Sequence, residues 1–315
     1  MRTSGVKQIL ERGQLSFAFC GLINPDHAYQ GRGNFGMVAD NHDGTVTKLF
    51  FRKDNAIDRD HAYTMYKNEI SALKLLSGTA LSTIQIPALI DDYGEVDHEQ
   101  VMAAFRMTKM DGRMLRDRLF PEWSQHEKDK LYHDLGVLIA DFHAQSESQI
   151  GTKNAQDVEL TVHECSIAFI SELDTKRANG LISAMHAYRD CQVPTIQHGD
   201  LHLGNILMAD NGRLSLVDFG TLGAVSDRLL DIVKVADCCA DDTKTPDIHG
   251  QILAAYNERR GTNISETSLL LSRLATAAGR LKNGWYDAQR RCTELKNIDH
   301  ILPRLADAGV IPQPR

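Results

Sequence analysis

At 315 residues the chain is long enough for about two domains. Its 42% hydrophobic and 24% charged residues exclude disordered, collagen-like and small disulfide-scaffold classes. The formal charge is −7, from 35 basic against 42 acidic residues, so the net basic footprint of a nucleic-acid binder is missing and no such partner is expected, although a local basic patch remains compatible. Cys20, Cys165, Cys191, Cys238, Cys239 and Cys292 form no CxxC pair, which argues for reduced thiols and a cytoplasmic protein rather than a zinc site or disulfide framework. The apolar run Leu15 to Ile23 falls short of the ~20 residues that span a bilayer. Asn24-Pro25 follows it with no small-residue cleavage site, so it reads as core-forming, and no membrane partner is expected.

In chain order, Tyr29 to Val38 is punctuated by glycines and Asn41-His42-Asp43-Gly44 is a turn signal. Thr45 to Phe51 is a β-branched and aromatic strand run. From Ala62 to Leu76, apolar Tyr66, Ile70, Leu73 and Leu76 recur at helical spacing. Val101 to Met107 reads as another strand, and a short hinge follows near Met107–Gly112. Leu131, Leu135, Leu138 and Phe142 share one face of a predicted helix, and an irregular, mostly helical stretch follows. Ile206–Met208 and Leu214–Val217 flank the hairpin signal Asp210-Asn211-Gly212. From about Leu229 the pattern is mostly helical. The expected class is therefore α+β: a small β-rich lobe with one major helix, then a larger helical lobe.

Three groups of residues carry chemistry. Gly31-Arg32-Gly33-Asn34-Phe35-Gly36-Met37-Val38 fits GxGxxGxV, whose glycines let backbone N–H groups approach phosphate oxygens. A strand follows it and not a helix, which disfavours a dinucleotide-binding turn, while a plain hairpin stays open. Lys48 sits within the next strand, either as the exposed face of an edge strand or as a phosphate contact held by a carboxylate. Glu69 on the following helix is placed to be that carboxylate, or else is a solvated helix residue. Last come His198-Gly199-Asp200-Leu201-His202-Leu203-Gly204-Asn205 and Val217-Asp218-Phe219-Gly220. Phosphoryl transfer needs a carboxylate near the attacking hydroxyl and oxygen ligands for Mg²⁺; Asp200 supplies the first, Asn205 and Asp218 the second. A zinc reading of His198 and His202 leaves both aspartates and Asn205 unexplained.

In this order the motifs resemble the protein-kinase-like superfamily, from about Tyr29 to Asp231. The resemblance implies a bilobal fold with a small antiparallel-sheet N-lobe over 1–110 and a mainly helical C-lobe over 111–315. It implies that Gly31, Gly33 and Gly36, with Val38 closing the motif, cover the nucleotide. Lys48 then pairs with Glu69, the segment Met107 to Met110 receives adenine through its backbone, and Asp200 is the catalytic aspartate. Asn205 and Asp218 bind magnesium, and Asp231 braces the catalytic loop.

Three departures set the branch. Gly199 and His202 stand where eukaryotic-type protein kinases have arginine and lysine, so HGDLHxxN is similar to the aminoglycoside phosphotransferase and choline kinase branch. About 55 residues separate His143 from His198, where small-molecule kinases carry a helical insertion. No Ala-Pro-Glu follows Asp218-Phe219-Gly220. The implied activity is ATP- and Mg²⁺-dependent transfer of a γ-phosphoryl group to a hydroxyl of a small molecule, such as an aminoglycoside, sugar or amino alcohol. The alternative is a compact atypical bacterial serine/threonine protein kinase, favoured by the glycine loop. A non-catalytic nucleotide-binding module is disfavoured because Lys48, Glu69, Asp200, Asn205 and Asp218 are all retained. Asp237, Asp241 and Asp242 fit either a cation-attracting patch or a solvated helix end. Arg259, Arg260, Arg273, Arg280, Arg290 and Arg291 read as salt-bridged surface, and Trp123 and Trp285 as packing.

Overall fold

The β-branched run at Thr45 forms an inner strand of a four-stranded antiparallel sheet, where flat, half-apolar side chains pack best. This is a computed structural model, and it describes residues 36–52, 56–76, 84–96, 101–118, 123–150, 173–191, 194–222, 225–239, 247–283 and 287–313. Gly31, Gly33, Cys20, Cys165, Asp241, Asp242, Trp285 and the run Leu15 to Ile23 lie outside these residues. The chain divides into two compact units, Met1–Arg118 with Gly204–Leu222 and Leu119–Leu203 with Gly223–Arg315.

In the first unit the strands are β1 (Gly36–Asp40), β2 (Thr45–Phe51), β3 (Leu89–Glu95) and β4 (Val101–Thr108), in the order β1-β2-β4-β3. Helix α1 (Ala56–Leu76) packs on one face, where the Tyr66 ring meets Phe50 edge-on at 5.5 Å and Phe105 at 6.5 Å. The helix begins six residues before the predicted Ala62, because its first turns are exposed (Ile57 is 82% accessible) and carry no apolar stripe. Strand β3 was not apparent from its sequence, Leu-Ile-Asp-Asp-Tyr-Gly-Glu, which is rich in poor strand formers. It survives as a charged edge strand whose register slips twice against β4. The predicted hairpin is β7 (Ile206–Met208) and β8 (Leu214–Leu216), extended by the short β5 (Arg113–Met114).

The second unit is mostly helical: α2 (Gln125–Ile150), α3 (Thr175–Cys191), α4 (Leu229–Cys239), α5 (Ile248–Arg260), α6 (Glu266–Asn283) and α7 (Ala288–Asp307), with β6 (Pro194–Ile196) paired to β9 (Val225–Asp227). A reciprocal Ser124–Glu127 cap starts α2, with Ser124 N donating to Glu127 Oε2 at 2.7 Å and Glu127 N to Ser124 Oγ at 3.3 Å. The predicted face Leu131, Leu135, Leu138 and Phe142 is buried. Helices α3, α6 and α7 share a core built from Leu181, Met185, Leu274, Leu281, Ile298 and Leu305. Arg259 pairs with Asp141 and Arg260 with Glu147, each at 2.6 Å, in line with the predicted salt-bridged surfaces. Asp237 matches neither of its two readings: it is tied inside the unit to His249 at 2.8 Å and to Arg280. Among the described residues no helix is long and apolar enough to cross a membrane.

Candidate active site

Lys48 lies opposite Val38 of β1 and Phe105 of β4, so it is on an inner strand and not an edge. Directly opposed residues of an antiparallel pair share a face. That face is the one α1 covers, and Glu69 lies on the buried side of α1 one turn from Tyr66. The Lys48 Nζ donates to Glu69 Oε2 at 2.6 Å and to Asp218 Oδ1 at 2.9 Å, and stands 5.4 Å from the Phe50 ring centre. Glu69 is 1% exposed, so it is not a solvated helix residue.

Burial disfavours the Lys48 ammonium, but the Glu69 and Asp218 carboxylates outweigh it and hold the lysine charged well above its ordinary range. Burial pushes the Glu69 carboxyl up, and the Lys48 charge pulls it back. The Lys48–Glu69 pair balances the two buried charges, and the partly exposed Asp218 adds a second carboxylate beside it.

Asp218 follows β8 with a left-handed backbone, φ 67°, which is costly for a residue with a side chain and typical of a position the surroundings over-determine. The neighbouring residues supply that constraint. Val217 N donates to Asn205 O at 3.1 Å, closing the base of the hairpin. Phe219 is fully buried, and Asn68 of α1 donates to Gly220 O at 3.2 Å. Helix α1 thus supplies the partner of Lys48 and also an anchor for the segment after Asp218. Asn205 is buried, whereas the Asp218 side chain is 39% exposed. Gly36 opens β1 so close to β2 that a Cβ there would stand 2.4 Å from Leu49 O. Met110 follows β4, half-buried, just beyond Lys109, whose N–H donates to Gly44 O at 3.0 Å.

In the second unit the segment that begins at His198 presents Asp200 with its side chain 55% exposed and His202 Nε2 at 3.7 Å from its Oδ2. Its support is buried. Asp231 Oδ2 accepts the His198 backbone N–H at 3.0 Å and lies 3.1 Å from His143 Nε2. On the other side of that ring, His143 Nδ1 is 3.1 Å from the Tyr256 hydroxyl. Burial alone would raise the Asp231 carboxyl; the His143 and His198 contacts reverse this and hold it below the usual aspartate range. The His198 ring packs on Phe142 at 5.9 Å, inside the fold. His143 and Tyr256 escaped the sequence reading. The helical spacing around Phe142 marked a buried face, but nothing local pointed to partners 88 and 113 residues away.

The model of the phosphotransferase enzyme family matches residues 41–266. Among solved structures, the fold is similar to the GDP complex of wild-type aminoglycoside 2'-phosphotransferase-IIIa, with TM-score 0.60, 21% identity, and 92% of this chain and 99% of that chain covered. It is also similar to the streptomycin–ATP–APH(2")-IIa ternary complex, with TM-score 0.57, 17% identity and 91% and 95% coverage. Choline kinase LicA from Streptococcus pneumoniae gives TM-score 0.57, 13% identity and 91% and 98% coverage. At these identities the likeness is one of fold. No curated protein matches the chain.

Proposed function

The chain belongs to the phosphotransferase enzyme family, as a kinase-type phosphotransferase, and from that premise we propose that it moves the γ-phosphoryl group of ATP to a hydroxyl of a small molecule. The observation that carries this reading is the buried Lys48 ammonium shared between Glu69 and Asp218. Two carboxylates keep the lysine charged and fixed, as a phosphate contact must be. One ammonium against two carboxylates leaves the cluster net negative, so a polyphosphate needs a further cation there. Asn205 and Asp218 fit that need. Both offer hard oxygen donors from the ends of one hairpin, and the Asp218 carboxylate is partly accessible. When bound, Mg²⁺ would offset charge on the phosphate oxygens.

Gly31, Gly33, Gly36 and Val38 cover the nucleotide, and the backbone around Met110 receives the base. Asp200 orients the acceptor hydroxyl and takes its proton as the new O–P bond forms and the bond to the leaving ADP breaks. Nucleotide contacts thus concentrate in 1–110, and the catalytic loop, metal ligands and acceptor contacts in 111–315. A small acceptor is favoured by the long His143–His198 interval, which contains α3, and by the short path from Asp218 to α4. The names of the structural neighbours, which include streptomycin, ATP, GDP and choline kinase, support the same class of acceptor and donor.

ADP release from MgATP, screened against aminoglycosides, sugars and amino alcohols, tests the reading. It expects ADP release that depends on at least one of these acceptors. Labelled phosphate accumulating on protein, with none of the panel stimulating ADP release, would overturn it in favour of a protein kinase.

A further inference from the structure

Helix α4 is apolar along most of its length, with Leu229, Ile232, Val233, Val235 and Ala236 all buried. Before Ala236 two charged side chains, Asp231 and Lys234, interrupt that stretch three residues apart, which puts them on one face of the helix. Both turn to the catalytic loop. Asp231 Oδ2 accepts the backbone N–H of His198 at 3.0 Å, and the Lys234 Nζ donates to the backbone carbonyl of Gly199. A carboxylate therefore holds the donor before Gly199 and an ammonium holds the acceptor after it. Between the two grips the backbone turns left-handed, with Gly199 at φ 80°, a conformation that residues with a side chain rarely adopt. Asp200 comes next, its side chain 55% exposed, with His202 Nε2 at 3.7 Å from its Oδ2. Its backbone leaves directly from the turn that these two grips hold.

We infer that Lys234 is a positioning residue for the transfer reaction: with Asp231 it clamps the turn at Gly199 and so aims the Asp200 carboxylate. This rests on the reading of Asp200 as the base. A lysine half-buried in an apolar helix gives up hydration, and the charge-assisted bond to the Gly199 carbonyl is what offsets that loss. The sequence offers a reason for it as well. His202 stands where the resembling protein kinases carry a catalytic-loop lysine, and here Lys234 of α4 brings a lysine to the loop and acts on its backbone.

The test compares Lys234→Met, which keeps the stem and removes the donor, with Lys234→Gln and Lys234→Arg in the full chain. Hydrogen exchange of the peptide 197–203 should rise about tenfold or more in the Met and Gln variants, local opening being confined to the loop. With MgATP and whichever panel acceptor wild type uses, kcat should fall roughly 10- to 100-fold, the scale of a misaimed catalytic group, while KM for MgATP stays within about twofold. The arginine variant should recover most of both. An unchanged exchange rate, or faster exchange with unchanged kcat, overturns the proposal. If neither the Met nor the Gln variant folds, Lys234 belongs to the fold alone and the proposal is equally overturned. Asp200→Asn separates the two readings: full turnover in that variant removes the base assignment, and the exchange measurement still decides the clamp.

Discussion

Lys48 and Asp200 are both charged and both central to the proposed chemistry, yet the protein houses them in opposite ways. The lysine side chain is 10% exposed and is fixed by two carboxylates brought from a helix and from the end of a hairpin. The aspartate side chain is 55% exposed, and its buried supports, Asp231 with His143 behind it, act on the backbone of the loop. In the proposed reaction Lys48 meets the same phosphates in every cycle, and such a group can be locked by its own side-chain contacts. In the proposed reaction Asp200 must stay open to an incoming hydroxyl, and the buried contacts beside it hold the peptide units of its loop.

The contrast predicts that changes at Lys48 damage fold and chemistry together, whereas changes at Asp200 damage chemistry alone. Lys48→Met should abolish transfer and cost about 3–5 kcal/mol of stability in urea unfolding, because buried Glu69 loses its cation and must take up a proton or stay charged without a partner. Adding Glu69→Gln should recover part of that loss, with a coupling of about 1–3 kcal/mol; strictly additive losses would break the pair. Asp200→Asn should slow transfer by ~10²–10⁴-fold, or roughly 3–5 kcal/mol in barrier, with the urea midpoint and the thermal protection by MgATP little changed.

Smaller effects sharpen the second half of the comparison. Gly199→Ala should cost about 1–2 kcal/mol in unfolding, the usual penalty for a side chain in a left-handed turn, and should lower kcat. The smallest effect is in acid. The Asp231 carboxyl titrates below the ordinary aspartate range in the folded chain, so the unfolded chain binds its proton first as pH falls. The stability it contributes is complete above that ordinary range and is lost as pH drops through the folded value. Asp231→Asn should therefore narrow its stability gap to wild type over that window, and a constant gap in acid unfolding would argue against the ionised Asp231.

Much of this was legible in one dimension because it is local. The hairpin 206–216 was readable from two short apolar runs around Asp210-Asn211-Gly212, since a turn signal acts over a few residues. Strand β2 followed from its β-branched and aromatic run and the buried face of α1 from its helical spacing. The start of α1 and the charged edge strand β3 did not, because exposed turns and edge strands carry no apolar pattern. Cation attraction at Asp237 was a reasonable reading of an acidic cluster, but His249 and Arg280, distant in sequence, already occupy that carboxylate.

The sequence by itself determined which residue types were available for phosphoryl transfer, and in what order along the chain: Lys48, Glu69, Asp200, Asn205 and Asp218. Motif spacing carries that information because each motif is held by its own strand, turn or helix. Only the tertiary structure decided what holds them. That Lys48 binds two carboxylates at once, that Asp231 links His198 to His143 and Tyr256, and that Lys234 grips Gly199 all depend on contacts between elements 21 to 170 residues apart. Such contacts form where packing buries a polar group and obliges it to find a partner, and no local pattern in the chain records which partner that will be.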